Sequence, residues 1–122
     1  MSGSKLTKKE ITRRKVIKAA ISCIYRDGFH AAHTNKIAKE AGVSWGVLQY
    51  HFGDKDGLLQ AVLDQFFEDF QRTLAETTLD GESLRERLGQ LIDVVWGLIS
   101  RKENRVNIAI LRSAGKDKTS KI

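Results

Sequence analysis

A chain of 122 residues is about one domain's worth, enough to bury a core but too short for a large enzyme with a separate substrate domain. With 41% apolar and 30% charged residues it lies in the globular range, and no apolar run approaches the roughly 18 residues of a membrane span. The polar Met1 to Glu10 stretch lacks a signal-peptide pattern, and the single cysteine, Cys23, excludes an internal disulfide framework and fits a reducing compartment, so the expected location is cytoplasmic.

The chain has no proline, which favours long helices, and no strand pattern or repeat interrupts the helical periodicity. Residues 1–6 read as a disordered start. Thr7 and Glu10 form a capping box, and the helix that follows puts Ile11, Val16, Ile17, Ala20, Ile21 and Ile24 near one face until Asp27-Gly28 stops it. Thr34 caps a short second helix that ends at Gly42, and Ser44 caps a third that runs to Phe52. Gly53 breaks that helix and Asp54 caps a fourth, where Leu58, Leu59, Val62, Leu63, Phe66, Phe67, Phe70 and Leu74 keep helical spacing. Ser83 and Glu86 open a fifth helix with Leu84, Leu88, Leu91, Ile92, Val95, Leu98 and Ile99 on one side. A sixth spans about Glu103 to Ser113, and residues 115–122 read as a disordered tail. The fold class is all-α: a three-helix unit over residues 7–55, then a long linking helix and one or two further helices over 56–114.

Charge is segregated along this order. Residues 1–55 hold 11 Lys/Arg against 4 Asp/Glu, 56–100 hold 3 against 9, and 101–122 hold 7 against 2, summing to the net +6. A basic first half permits a polyanion-binding surface; a solvated charge run is the plainer reading of charge alone.

Two short helices across Gly42-Val43-Ser44 have the dimensions of a helix-turn-helix, with Ala38 small where the helices cross. Spacing alone does not separate this from a plain helical hairpin. On the third helix, Leu48 faces inward, flanked by Ser44, His51 and Phe52, while Gly46, Gln49 and Tyr50 face away with Trp45 and Val47 at the edges. A glycine, an amide and aromatics on an open face suit entry into a DNA major groove, where glutamine can pair bidentately with adenine. Trp45 has an alternative fate, tucked against the fourth helix.

The run from Thr34 to Leu59, with Thr34, Ile37, Ala38, Ala41, Gly42, Val43, Ser44, Gly46, Leu48, His51, Phe52, Lys55 and Leu58 at matching positions, resembles the DNA-binding domain of the tetracycline-repressor (TetR) family. The resemblance covers about residues 10–75 well. It implies that Ser44, Trp45, Gly46, Val47, Gln49 and Tyr50 form a base-reading face and that Thr34 and Lys55 anchor phosphates; Lys36 and His51 complete the expected DNA-binding set. Lys5, Lys8, Lys9 and Arg14 are further candidates for backbone contacts, with surface solvation as the equal alternative. The chain departs from the family at Gln49, where a tyrosine is usual; here the tyrosine is Tyr50.

The resemblance implies a sequence-specific transcriptional regulator of bacterial type, a repressor under small-molecule control in its full-length form, that reads double-stranded DNA at an inverted repeat. Later helices would build a homodimer and complete an effector pocket. Because the chain stops after helix six, the expectation is a fragment or short form, doubtful as a dimer, with Leu91, Val95, Trp96 and Leu98 uncovered. The competing reading is a truncated interaction module without operator binding of its own. No catalytic residues, metal site or cofactor are expected: His30 and His33 lack further ligands nearby, Cys23 reads as a buried thiol, and no phosphate loop, nucleophile elbow or carboxylate pair is present.

Overall fold

A computed structural model describes residues 6–116, which form six helices and no strand. They are α1 (Lys8–Asp27), α2 (Thr34–Ala41), α3 (Trp45–Phe52), α4 (Lys55–Glu76), α5 (Leu84–Ile99) and α6 (Lys102–Lys116). The helix starts at α1, α3, α4 and α5 follow the expected caps. Thr7 Oγ1 accepts from Glu10 N–H at 3.1 Å, Ser44 Oγ from Val47 N–H at 3.2 Å, Asp54 Oδ1 from Gly57 N–H at 2.8 Å and Ser83 Oγ from Glu86 N–H at 3.1 Å.

Three details differ from the sequence expectation. The N-cap of α2 is His33, not Thr34, because the His33 carbonyl already accepts the first intrahelical bond, from Ile37 N–H at 3.0 Å. Ile11 is exposed, since nine residues separate it from Ala20 and helical geometry turns the two to opposite sides. The last helix continues to Lys116, so Gly115 and Lys116 are helical; the rest of the expected tail, and residues 1–5 of the expected disordered start, lie outside the described residues.

One core joins five helices. Val16, Ala20, Cys23 and Ile24 of α1 meet Ile37, Ala38 and Ala41 of α2, Leu48 and Phe52 of α3, and Leu58, Leu59 and Val62 of α4. Val106 and Ile110 of α6 belong to the same cluster, so the last helix folds back over α1 and the core does not end at residue 55. Helix α5 stands apart: Leu98 is its one buried residue.

An ion cluster pins the end of α1 to α2. Arg26 Nη2 lies 2.8 Å from Asp27 and 2.7 Å from Glu40, and Lys36 Nζ lies 2.9 Å from Asp27. Arg26 first, then Lys36, holds the Asp27 carboxyl well below the usual carboxylate range.

Two glycines set the joints around α3. Gly42 takes the left-handed conformation (φ 73°, ψ 29°) that closes α2 and lets the chain turn into α3. Gly57 in the first turn of α4 lies so close to the end of α3 that a Cβ there would sit 1.9 Å from the Phe52 carbonyl oxygen.

Candidate nucleic-acid interface

Helix α3 is anchored by Leu48 and Phe52, four residues apart and both buried. That single buried edge turns the rest of the helix outward. Ser44, Gly46 and Gln49 are exposed, Trp45 is 50% exposed, Val47 37% and Tyr50 79%. Trp45 keeps half its surface open and lines the same hollow as Lys55 at the start of α4. The six residues expected to read bases form one open surface, and Gly46 leaves its centre low: a Cβ there would meet nothing nearer than Ser44 Oγ at 3.9 Å.

The fold brings the expected phosphate anchors to this surface. Thr34, Trp45, Gln49 and Lys55 share a shallow concavity of about 320 Å³, together with His33, Leu48, Gly53 and Asp54. The Lys55 ammonium is steered by the Phe29 ring, 4.9 Å from its centroid. His33, the N-cap of α2, makes no side-chain hydrogen bond to the first turn, so that helix start is not closed by its own cap. A helix N-terminus and a lysine beside a hollow of this size are a donor set for a phosphate oxygen.

Two expected members sit differently. Lys36 is held by Asp27 in the α1–α2 ion cluster. His51 is half-buried on the packed side of α3, with Nδ1 buried and unpartnered. Burial foremost, then the positive charges of Arg13 and Lys9, lowers its pKa and favours the neutral ring. Of the basic residues near the N-terminus, Lys8, Lys9 and Arg14 are exposed on α1, whereas Lys5 lies outside the described residues.

Arg13 is the residue that sequence reasoning missed. Its Nη1 donates to the His51 carbonyl at 2.7 Å and its guanidinium lies 4.6 Å from the centre of the Phe52 ring. It thus caps the last turn of α3 from a helix 38 residues away in sequence.

The arrangement has counterparts. Residues 16–62 match the family of bacterial regulatory proteins, tetR family. They belong to that family. The tetR-family segment contains the whole of α2 and α3, hence the open face and the concavity. The chain is 36% identical over 86 residues to the HTH-type transcriptional regulator BetI of Vibrio campbellii, covering 69% of this chain and 43% of that protein. It is 39% identical over 90 residues to BetI 1 of Chromohalobacter salexigens, 73% of this chain and 45% of the relative. A probable HTH-type transcriptional regulator of Bacillus subtilis, YttP, is 30% identical over 93 residues, 76% of this chain and 44% of that protein. The chain thus spans less than half the length of the curated relatives it matches. The crystal structure of the multidrug binding protein EbrR complexed with imidazole superposes with a TM-score of 0.67 at 24% identity, over 98% of this chain and 65% of that one, which shows a shared fold. The relatives from Vibrio campbellii, Chromohalobacter salexigens and Bacillus subtilis are HTH-type transcriptional regulators by name, the last of them a probable one. Among the described residues no helix is long and apolar enough to cross a membrane.

Proposed function

We propose that this chain is a sequence-specific double-stranded-DNA-binding transcriptional regulator with α3 as its reading helix. The observation that carries the reading is the open face of Trp45, Gly46, Val47, Gln49 and Tyr50 beside the hollow shared by Thr34 and Lys55. Gln49 has donor and acceptor for an adenine edge, Val47 and Trp45 offer apolar contact to a thymine methyl, and Tyr50 is more exposed than either. Residues 7–55 are the reading head and 56–114 the linking and regulatory helices. In a longer form the regulator is a repressor, paired across an inverted repeat and released by a small effector that changes the spacing of its two heads.

Selection from a random duplex library at about 0.15 M salt tests this. An enriched inverted repeat establishes recognition by a pair; an enriched single half-site establishes a reading head without its partner; no enrichment overturns the reading. On the selected site, Gln49→Ala costs about 1–3 kcal/mol at one base position, whereas Lys55→Ala weakens all sequences alike and lowers the salt slope. Equal losses on selected and random DNA for Gln49→Ala would sink the base-reading role.

A second reading is favoured by the exposed apolar side of α5: an interaction module that pairs with another chain. Light scattering with and without DNA separates the two, since a strict monomer cannot bind a palindrome with dimeric affinity.

A further inference from the structure

Four charged side chains meet where the end of α1 lies against α2, and one of them, Lys36, belongs to the first turn of the helix that Thr34 opens. The Lys36 ammonium lies 2.9 Å from Asp27 Oδ2. The pair is not sealed, since 46% of the Lys36 side chain and 23% of the Asp27 side chain stay open. An ion pair this exposed is weak, so another anion can displace one partner. Asp27 does not depend on Lys36, because Arg26 reaches the same carboxylate with Nε at 3.1 Å and Nη2 at 2.8 Å. Nor does the joint between the helices, because Arg26 Nη2 also reaches Glu40 of α2 at 2.7 Å. Lys36 can therefore leave Asp27 without orphaning the carboxylate or unpinning α2.

The start of α2 offers the ammonium a second destination. Ile37 N–H donates to the His33 carbonyl at 3.0 Å, so the N–H groups of Thr34, Asn35 and Lys36 stand ahead of the first intrahelical bond. The His33 side chain does not cap them. Every Cα–Cβ bond in a helix tilts towards the N-terminus, so the Lys36 stem leans towards those donors. Thr34, which lines the hollow shared with Lys55, precedes Lys36 by about 3 Å along the helix axis, a step shorter than a four-carbon lysine stem. A phosphate seated at the start of α2 thus competes with Asp27 for the same ammonium.

We propose that Asp27 is a brake on DNA affinity: it holds the Lys36 ammonium in the unbound protein, and DNA binding exchanges that carboxylate for a backbone phosphate. The inference rests on the DNA reading above. It makes Lys36 a phosphate contact of the bound state alone, and Asp27 a positioning residue that acts through it.

Fluorescence anisotropy of the full chain with a labelled random-sequence duplex tests the brake, because phosphate contacts carry no sequence information. Asp27→Asn should bind about two- to fivefold tighter than the parent, the span that one exposed ion pair covers, with a salt slope steeper by up to about 0.9. A merely structural Asp27 would give weaker binding on substitution, so the direction separates the two roles. In a Lys36→Met background the same Asp27→Asn change should tighten binding little. Equal tightening in both backgrounds would assign the effect to net charge and overturn the proposal, as would unchanged or weaker binding by folded Asp27→Asn. Where Asp27→Asn does not fold, NMR of the parent decides. Nuclear Overhauser contacts from the Lys36 ε-methylene to the Asp27 β-protons should give way to contacts with deoxyribose protons in the complex; contacts to Asp27 that persist on DNA overturn the exchange. A parent that binds no duplex sinks the DNA reading and the brake together. A parent that binds, with Asp27→Asn no tighter, sinks the brake and leaves the DNA reading standing.

Discussion

Arg13 and His51 meet at the end of α3, and each makes a prediction at the scale of a single side chain. Arg13→Met keeps the aliphatic stem but removes the bond to the His51 carbonyl and the contact over Phe52. A charged hydrogen bond with a partly buried acceptor and a cation–π contact together place the expected loss at about 1–3 kcal/mol, read by urea unfolding. If α3 reads DNA as proposed, binding should weaken on every sequence, because the whole helix loosens. An Arg13→Met protein as stable as the parent would remove the cap from the account. His51 gives a pH dependence. Its pKa is lowered in the fold, so between the folded value and the unfolded value near 6.5 the unfolded chain holds more protons. Stability from this residue is therefore full above about pH 6.5 and is lost as pH falls below it. An NMR titration should place the ring's midpoint below 6.5, and His51→Gln should flatten the acid limb of a Tm-against-pH curve.

The short helices α2 and α3 are held by their joints more than by their length, since eight residues make too few hydrogen bonds to stand alone. Gly42→Ala keeps open space around the new methyl but forces alanine to a φ of 73°, with an expected cost of about 1–2 kcal/mol. Gly57→Ala meets backbone instead: its Cβ would fall 1.9 Å from the Phe52 oxygen, and α4 must back away from α3. Overpacking of this kind costs about 1–3 kcal/mol or more. The expected order is a larger loss for Gly57→Ala than for Gly42→Ala, measured by chemical denaturation of both variants. The reverse order would mean that the α3–α4 joint gives way more easily than the α2–α3 turn.

At the scale of the whole molecule, the fold leaves the apolar side of α5 uncovered among the described residues. Leu84, Leu88, Leu91, Ile92, Trp96 and Ile99 are all exposed, Ile92 at 64% and Trp96 at 69%. Contiguous apolar surface of this kind drives association. Sedimentation should show mass rising with concentration, and Ile92→Asp with Trp96→Ser should suppress that rise while leaving the helical content and the α1–α4–α6 core intact. Unchanged association in the double variant would assign it to another surface. Leu98 departs from the expected exposure. It is buried because the end of α5 turns at Ser100 into α6, which lies back on α1 and α4.

Much of the molecule was legible from local chemistry. Helix type, the caps at Thr7, Ser44, Asp54 and Ser83, and the stop at Gly42 depend on residues within one or two turns of each other, so adjacent sequence is enough to set them. The open face of α3 was legible for the same reason: two buried residues four apart leave one orientation for all the others. Long-range geometry was not. Arg13 reaches His51 across 38 positions, Lys36 turns to Asp27, α6 returns to α1, and Gly57 is needed because of a carbonyl on another helix. No periodicity encodes those meetings. They follow from how the helices pack, and packing decided that Lys55 lies beside the open face of α3 and that Asn107 and the Nδ1 of His51 are buried without a partner.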